Sequence, residues 1–335
     1  DSRPRVYTRR SAASSADQTG SGTFDFLSLA GLTIDPTTQK WLFLGFFIAF
    51  AIKAPLVPFH TWLPDAAAES TPGTAVLLVG VLDKVGTFGM LRYCLELFPE
   101  ASTWATPVVI ALAVISIIYG ALLAIGQNDI KRLIAYTSVS HFGFIVLGVF
   151  VMTTQGQSGA TLYMVNHGFS TAALFLLAGF MISRRGSRFI DDFGGVQKVA
   201  PVLAGFLLIA GLSSLALPGL SSFVSEFLVL QGTFVRYAWV GVIATIGIVL
   251  AALYILLMYQ RTMTGPTPDV VREKVGDLGG RAVLAIAPLL VVIIALGFFP
   301  QPVLDVINPA VDRVMVNVGA TDPAPQVPVA EGTQP

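Results

Sequence analysis

The stretch FIAFAIKAPLVPFH, residues 47–60, decides how this chain folds. It is apolar on both sides of Lys53, and two prolines follow the lysine closely. Because a proline lacks a backbone N–H and collides with the carbonyl four residues before it, we expect the carbonyls of Ala51 and Ala54 to lose their helical partners. In a membrane such a break persists only where protein or water satisfies the freed groups. The stretch therefore predicts a broken helix with a cation beside the break.

Composition places the rest of the chain in a membrane as well. The 335 residues are 54% hydrophobic and only 12% charged, whereas soluble domains have about 25% charged residues. The apolar residues form blocks of about 20, the length that crosses a bilayer core. Lipid tolerates only helices and closed barrels, and the short alternating segments of a barrel are not seen in this sequence. We therefore expect an all-α polytopic membrane protein.

The apolar blocks predict about eight transmembrane helices, two of them broken. The predicted spans are 40–59, 74–98, 106–126, 130–152, 159–183, 201–235, 238–261 and 281–300. The sixth span is too long for one straight crossing. Pro218 and Gly219 near its middle predict two half-helices around a second break.

The chain is expected to have three parts: a polar N-terminal loop or linker over 1–39, a transmembrane domain over 40–300 and a C-terminal segment over 301–335. Within the last part, residues 303–316 are expected to form an interfacial helix and residues 320–335 a disordered tail. The polar start has no apolar core and is not a signal peptide. We expect that further transmembrane helices precede it in the whole protein.

Basic residues predict the orientation. Three loops that alternation places on one side, 126–132, 184–200 and 261–281, hold many lysines and arginines, whereas the opposite loops 99–105 and 152–158 have none. Short basic loops face the cytoplasm. The Arg-rich N-terminus then falls on the outer side against this rule, and preceding spans would remove the conflict.

Several classes of function are excluded by what the sequence lacks. Cys94 is the only cysteine, so the chain has no disulfide and no cysteine cluster for a metal or iron–sulfur site. We find neither GxGxxG nor a Walker loop, and the net charge of zero gives no indication of a nucleic-acid partner. A hydrolytic triad and paired carboxylates are missing too. We expect no cofactor, no metal and no redox site in this chain.

Ionisable side chains inside the predicted spans are the candidate functional residues, because each costs about 2.5–3.5 kcal/mol at the bilayer centre on insertion scales. Lys53 lies beside the first break, Glu226 lies two turns beyond the second, and Lys84 lies well inside its own span after Asp83. Adjacent helical residues point about 100° apart, so Asp83 and Lys84 do not pair on one face. One of them needs a partner on another helix.

Two histidines add to this set. His141 follows Thr137 and Ser140 in a polar stripe that can hold water, and His167 lies in a second polar segment. Histidine passes protons near neutral pH, since its unperturbed pKa is about 6.5. A chain of proton sites running from Lys53 and Lys84 past His141 to Glu226 is the functional hypothesis. Two broken helices in separate halves also suggest an inverted repeat.

Each candidate has a structural alternative. Lys53 could extend to the interface, and Lys84 could form a static ion pair between helices. Either histidine could be a packed core residue, and Glu226 could hydrogen-bond Ser222 or Ser225.

The sequence resembles the antiporter-like subunits of proton-pumping NADH–quinone oxidoreductase, complex I, among them the subunit M family. The resemblance covers about residues 24–300 and rests on FAIKAPLVPFHTWLPDAAAES, GVLDKVGTFGMLRY, NDIKRLIAYTSVSHFGFI, NHGFSTAALFLLAG and LPGLSSFVSEF. It implies a fold of about fourteen helices in two inverted five-helix repeats, of which this chain holds the second part. It also implies multi-pass insertion in the bacterial inner membrane.

The resemblance implies a function in which other subunits reduce quinone and this one translocates protons. Flavin, iron–sulfur clusters and quinone are then expected in the partner subunits. The partners include other membrane subunits, some of them antiporter-like, and the lipid bilayer. By the same resemblance Lys53 is the broken-helix lysine, Lys84 the bridging lysine, His141 the TSVSH histidine, Glu226 the glutamate of the second break and His167 a second histidine.

This sequence departs from the family pattern at two positions, and one further residue of the pattern is expected outside it. The acid that pairs with the Lys53 position is expected in the part of the protein that precedes this chain. Ala67 stands where the family often has a histidine, and Asp83 where it commonly has a leucine. We expect Asp83 to alter the proton affinity of Lys84.

Two other functions remain open on the sequence. One is a subunit of a multisubunit sodium/proton antiporter, whose members share the lysine and broken-helix motifs. The other is a structural scaffold, in which neutralising the buried charges leaves transport intact.

Overall fold

A computed structural model describes residues 25–324. The earlier part of the predicted N-terminal loop and the later part of the predicted tail lie outside these described residues. Regular structure between residues 25 and 324 is helical, apart from one isolated bridge between Asp129 and Phe189. The predicted all-α fold is confirmed.

The helices follow one another with short connections. They are α1 (Pro36–Lys53), α2 (Trp62–Glu69), α3 (Pro72–Leu95), α4 (Pro99–Ile125), α5 (Ile130–Phe150), α6 (Thr154–Arg185), α7 (Pro201–Ser214), α8 (Ser221–Arg236), α9 (Ala238–Met263), α10 (Gly280–Phe298) and α11 (Gln301–Val318). Single turns at Phe26–Leu29, Ile190–Asp192 and Val196–Lys198, and a short helix at Asp269–Lys274, lie in the connections.

Six helices in the described range are long and apolar enough to cross a membrane: α3, α4, α5, α6, α9 and α10. Each lies on one of the predicted spans. The other two predicted spans fall on the pairs α1/α2 and α7/α8, so both predicted breaks are present. The first predicted span, 40–59, is too short at both ends, since α1 begins at Pro36 and ends at Lys53, and the helix resumes at Trp62 and runs to Glu69. Similarly, α4 begins at Pro99, before the predicted start, because proline is favourable in the first helical turn.

At the first break, the backbone carbonyls keep hydrogen-bond partners because the chain forms a wider turn. As expected, the Ala51 carbonyl has no α-helical partner, because Pro55 lacks an N–H; it accepts a hydrogen bond at 3.0 Å from the N–H of Leu56, five residues on. The Ile52 carbonyl accepts instead from the indole Nε1 of Trp62, at 2.8 Å. The second break has the same turn, with the N–H of Leu217 donating to the carbonyl of Leu212 at 3.0 Å.

Helix α5 forms the centre of the bundle and is almost entirely buried. Glycines let its neighbours approach closely, as small residues do between membrane helices. A Cβ on Gly120 of α4 would lie 2.8 Å from the backbone nitrogen of Ser140 in α5. A Cβ on Gly143 of α5 would lie 2.7 Å from the carbonyl oxygen of Ala113 in α4. This close packing places the buried face of α5 against its neighbours in a fixed position.

The three basic loops lie together on one face of the bundle, as alternation predicts. Arg261, at the end of α9, forms an ion pair with Asp191 at 2.5 Å. Arg188 of the α6–α7 loop pairs with Asp129 before α5 at 2.8 Å, and with Glu69 at the end of α2 at 3.1 Å. These contacts connect the α6–α7 loop to the ends of α2 and α9 and to the start of α5 on the basic face.

Helix α11 lies on the opposite face. It follows the end of α10, and just beyond its other end Asp322 accepts a hydrogen bond from the N–H of Thr154 at the start of α6, at 2.8 Å. Within α11, Asn308 accepts from the hydroxyl of Ser158 at 2.9 Å. The helix includes the predicted residues 303–316, and its placement at a membrane surface stays a prediction.

We expect Gly143→Ala to destabilise the protein by about 1–3 kcal/mol, because the added methyl group overpacks the contact between α4 and α5. Gly205→Ala in α7 is the matched control, since a Cβ there meets no atom within 4 Å. In a helix, alanine is more favourable than glycine by about 1 kcal/mol. The Gly205→Ala control should therefore leave the stability unchanged or raise it. Thermal unfolding of the full-length protein in detergent measures both, and equal midpoints would contradict the packing described here.

Candidate functional site

Lys84 lies in α3 shortly after a π-helical stretch, Val76–Leu82. Its Nζ lies 2.5 Å from the carbonyl oxygen of Val79 and 2.7 Å from Nδ1 of His167 in α6. The ring centroid of Phe142 lies 5.2 Å from the same Nζ. Wide π turns are rare and often occur at functional sites. Lys84 therefore makes a direct polar contact between α3 and α6 inside the bundle.

His167 is buried and has contacts on both ring nitrogens. When the Lys84 ammonium donates to Nδ1, the neutral ring carries its hydrogen on Nε2. That nitrogen lies 3.2 Å from the hydroxyl of Thr171, one turn further along α6. The ring centroid of His141 lies 5.2 Å from that of His167, edge to face. His167 and His141 are thus part of the same cluster.

His141 of α5 continues the cluster towards α9. Its Nε2 lies 3.1 Å from the hydroxyl oxygen of Tyr254, and the side chain is buried. The ring of Tyr163 from α6 lies beside it, with centroids 5.8 Å apart. His141 therefore packs against the ring of Tyr163 in α6 and contacts the hydroxyl of Tyr254 in α9.

Glu226 of α8 is buried beside two tyrosines. It interacts electrostatically with Tyr163 and Tyr254. The hydroxyl of Ser225 donates to the carbonyl of Ser222, and no hydrogen bond joins either serine to Glu226 among the described residues. The alternative of a glutamate bonded to these serines is therefore wrong.

Lys53 and Asp83 lie at the other end of the cluster. Lys53 ends α1 beside the first break and is partly buried, with its Nζ 5.7 Å from the ring centroid of Trp62. Asp83 is 0% exposed and interacts electrostatically with both Lys53 and Lys84. Neither carboxylate oxygen has a hydrogen-bond partner within residues 25–324.

The polar stripe on α5 differs from the expectation. The hydroxyl of Thr137 donates to the carbonyl of Ile134 at 2.8 Å, and that of Ser140 donates to the carbonyl of Ile117 in α4 at 2.8 Å. Both hydroxyl hydrogens are thus used by backbone oxygens. Thr137 bonds within α5 and Ser140 joins α5 to α4, so only His141 of the three contributes to the cluster.

The side chains form an ordered series. From one end it contains Lys53, Asp83, Lys84, His167, His141, the hydroxyl of Tyr254 and Glu226. The sequence hypothesis passed from Lys84 to His141 directly, whereas His167 lies between them. All six predicted site residues are therefore brought into one region.

The sequence missed two residues of this region. Tyr163 has a signal in retrospect, because it precedes His167 by four residues and so shares its face of α6. Tyr254 lies in the apolar run AALYILLMYQ and has no distinguishing pattern. Only the packing of α9 against α5 places its hydroxyl at His141.

The described residues show no group of three His, Cys, Asp or Glu side chains that could hold a metal ion. Cys94 is buried as a free thiol. That this chain uses no metal or cofactor stays a prediction.

The chain matches the family model described as NADH:quinone oxidoreductase/Mrp antiporter, TM, over residues 16–251. It is 60% identical over 316 residues to NADH-quinone oxidoreductase subunit M of Mycobacterium tuberculosis, covering 92% of this chain and 57% of the relative. It is 41% identical over 302 residues to the subunit M of Pseudomonas aeruginosa, covering 90% of this chain and 59% of the relative. The chain thus spans less than two thirds of the length of these relatives.

Solved structures with a similar fold come from the same family. The chain is similar to a chain of respiratory complex I from Thermus thermophilus with bound NADH, with a TM-score of 0.85 and 35% identity over 92% of this chain and 65% of the other. A chain of the Mrp complex from Dietzia sp. DQ12-45-1b has the same fold, with a TM-score of 0.79 and 22% identity over 91% and 66% of the two chains. Together with the family match over most of its length, these likenesses identify the chain as a multi-pass membrane protein of the NADH:quinone oxidoreductase/Mrp antiporter family.

Proposed function

We propose that this chain is the proton-translocating second part of an M-type membrane subunit of bacterial complex I. The proposal is supported by the 60% identity to a subunit of NADH-quinone oxidoreductase. Partner subunits in the bacterial inner membrane would hold the flavin, iron–sulfur clusters and quinone. Neighbouring antiporter-like subunits would continue the membrane arm.

The observation that carries the proposal is the series of contacts inside the bundle. Lys84 Nζ and His167 Nδ1 are 2.7 Å apart, the two imidazole rings are 5.2 Å apart, and His141 Nε2 is 3.1 Å from the Tyr254 hydroxyl. These groups come from four different helices and are all able to exchange protons. A static scaffold needs no such continuity, because buried ionisable groups usually cost stability.

Each transfer can be written with named atoms. The Lys84 ammonium gives a proton to His167 Nδ1, so an N–H bond breaks on the lysine and forms on the imidazole. His167 then carries a positive charge and releases the proton from Nε2 beside Thr171. A water molecule or a ring rotation takes it to His141, since the two imidazoles share no hydrogen bond. Tyr254 accepts it from His141 Nε2 while its own hydroxyl proton passes on towards Glu226.

The energy of one charge pair is sufficient to drive such a step. Two unit charges about 4 Å apart interact by about 4 kcal/mol at an effective dielectric of about 20. Moving one proton against 100 mV costs about 2.3 kcal/mol. The interaction energy gained or lost when a charge near Lys53 or Lys84 changes is therefore larger than the cost of moving one proton against 100 mV.

We expect Lys84→Met and Glu226→Gln to abolish proton pumping in the intact complex, because each removes a group that carries the proton. Lys84→Arg keeps the charge but should also impair pumping, since arginine scarcely deprotonates. Proton translocation by inside-out membrane vesicles is measured alongside NADH-driven quinone reduction. Lys274→Met, at an exposed loop lysine, is the control. Normal pumping in Lys84→Arg would assign Lys84 a structural role.

Tyr254→Phe tests the step that the sequence did not suggest. It keeps the ring packing and removes only the hydroxyl beside His141, so we expect pumping to fall by roughly tenfold or more. Tyr259→Phe in the same helix is the control, because Tyr259 is half-buried and its hydroxyl has no electrostatic interaction with a site residue. Equal pumping in the two variants would remove Tyr254 from the path.

The family also includes Mrp antiporters, whose fold this chain shares. Under our proposal, pumping driven by NADH continues when sodium is replaced by potassium or choline. Co-purification with iron–sulfur and quinone-binding subunits is expected as well. Strict sodium dependence without such partners would favour the antiporter.

A further inference from the structure

Asp83 is a buried group that the pathway above leaves unused. Its side chain is 0% exposed, and neither carboxylate oxygen has a hydrogen-bond partner within the described part of the chain. Buried polar atoms are nearly always hydrogen-bonded, so an exception of this kind calls for an explanation. The sequence offers none, since only Lys84 and Thr87 interrupt the apolar stretch of α3 around Asp83.

Asp83 lies on the side of α3 that faces α1. Gly86, three residues further on and therefore on the same helix face, packs directly on the last turn of α1. A Cβ on Gly86 would lie 2.6 Å from the backbone nitrogen of Ala54 and 2.6 Å from the carbonyl oxygen of Phe50. Lys53 ends that turn. The carboxylate is thus placed near the first broken helix.

Lys84 faces a different neighbour. Its Nζ contacts His167 of α6 and lies over the ring of Phe142 of α5. Adjacent helical residues point about 100° apart, so the dipeptide reaches towards α1 with one side chain and towards α6 with the other. Both lysines interact electrostatically with the carboxylate. Asp83 therefore occupies the gap between the first lysine and the rest of the series.

If Asp83 were a fixed counter-ion, its carboxylate would form an ion pair with one of the two lysines. The Lys84 ammonium uses its hydrogen bonds on Val79 and His167, and no nitrogen of either lysine lies within 4.0 Å of the Asp83 carboxylate. A carboxyl without fixed partners can gain or lose a proton without breaking a hydrogen bond. When protonated it both donates and accepts, as a carrier must.

We propose that Asp83 carries the proton between Lys53 and Lys84, an inference that rests on the function proposed above. An N–H bond of the Lys53 ammonium breaks and an O–H bond forms on the Asp83 carboxylate, directly or through one water, leaving two neutral groups. After Lys84 has given its own proton to His167, the Asp83 O–H passes its proton to the neutral Lys84 amine. The carboxylate and the Lys84 ammonium are then restored, and Lys53 is left as a neutral amine that takes up the next proton.

Asp83→Asn tests the proposal in the intact complex with the full-length subunit. The amide has the same shape but cannot carry a proton, so pumping should fall by roughly tenfold or more, while quinone reduction in uncoupled vesicles stays unchanged. Asp83→Glu should restore pumping. Asp269→Asn, at an exposed acid in the α9–α10 loop, is the matched control and should pump normally.

Infrared difference spectra provide a second readout that does not depend on a variant folding. The wild-type complex should gain and lose the C=O stretching band of a protonated carboxyl during turnover, and this band should shift in Asp83→Glu. A constant wild-type spectrum in that region, or normal pumping by Asp83→Asn, would overturn the proposal. If Asp83→Asn pumps normally while Lys84→Met does not, only the role of Asp83 fails. If both pump normally, the proposed function fails with it.

Discussion

The fold depends on one constraint, that polar groups inside a membrane bundle must find their partners within the protein. The first break obeys it through the N–H of Leu56 and the indole of Trp62, which take over carbonyls that the prolines leave without their usual partners. The Lys84 ammonium meets this constraint through its hydrogen bonds to the carbonyl of Val79 and to His167. Because each buried polar group has to be matched from a neighbouring helix, the groups that can exchange protons are drawn into contact. The same requirement therefore produces the packing and the candidate pathway.

Some buried polar groups in the bundle do not meet this constraint, and their positions are informative. Asp83 and Tyr163 each have buried oxygens without a hydrogen-bond partner among the described residues. Asp83 belongs to the series from Lys53 to Glu226, and Tyr163 lies beside it, with its ring centroid 5.8 Å from that of His141. A proton pathway requires such groups, since its members have to change hydrogen-bond partners as the proton passes.

The sequence predicted those features that are local in origin. Proline effects act within one turn, so both breaks were foreseen, and the cost of burying charge identified Lys53, Lys84 and Glu226 as residues of interest. The position of His167 between Lys84 and His141 was not foreseeable, because it depends on the π turns of α3. Tyr254 was missed because its position beside His141 comes from packing between distant segments. Long-range order of this kind has no signature in a single sequence.

The central claim is that these side chains form one connected, hydrated series. A high-resolution experimental structure of the complete subunit in its membrane complex tests it most directly. The account predicts hydrogen-bond distance between Lys84 Nζ and His167 Nδ1, with ordered water in the gap between His167 and His141 and beside Asp83. Lysine and histidine side chains separated by dry apolar packing, or turned towards lipid, would contradict it.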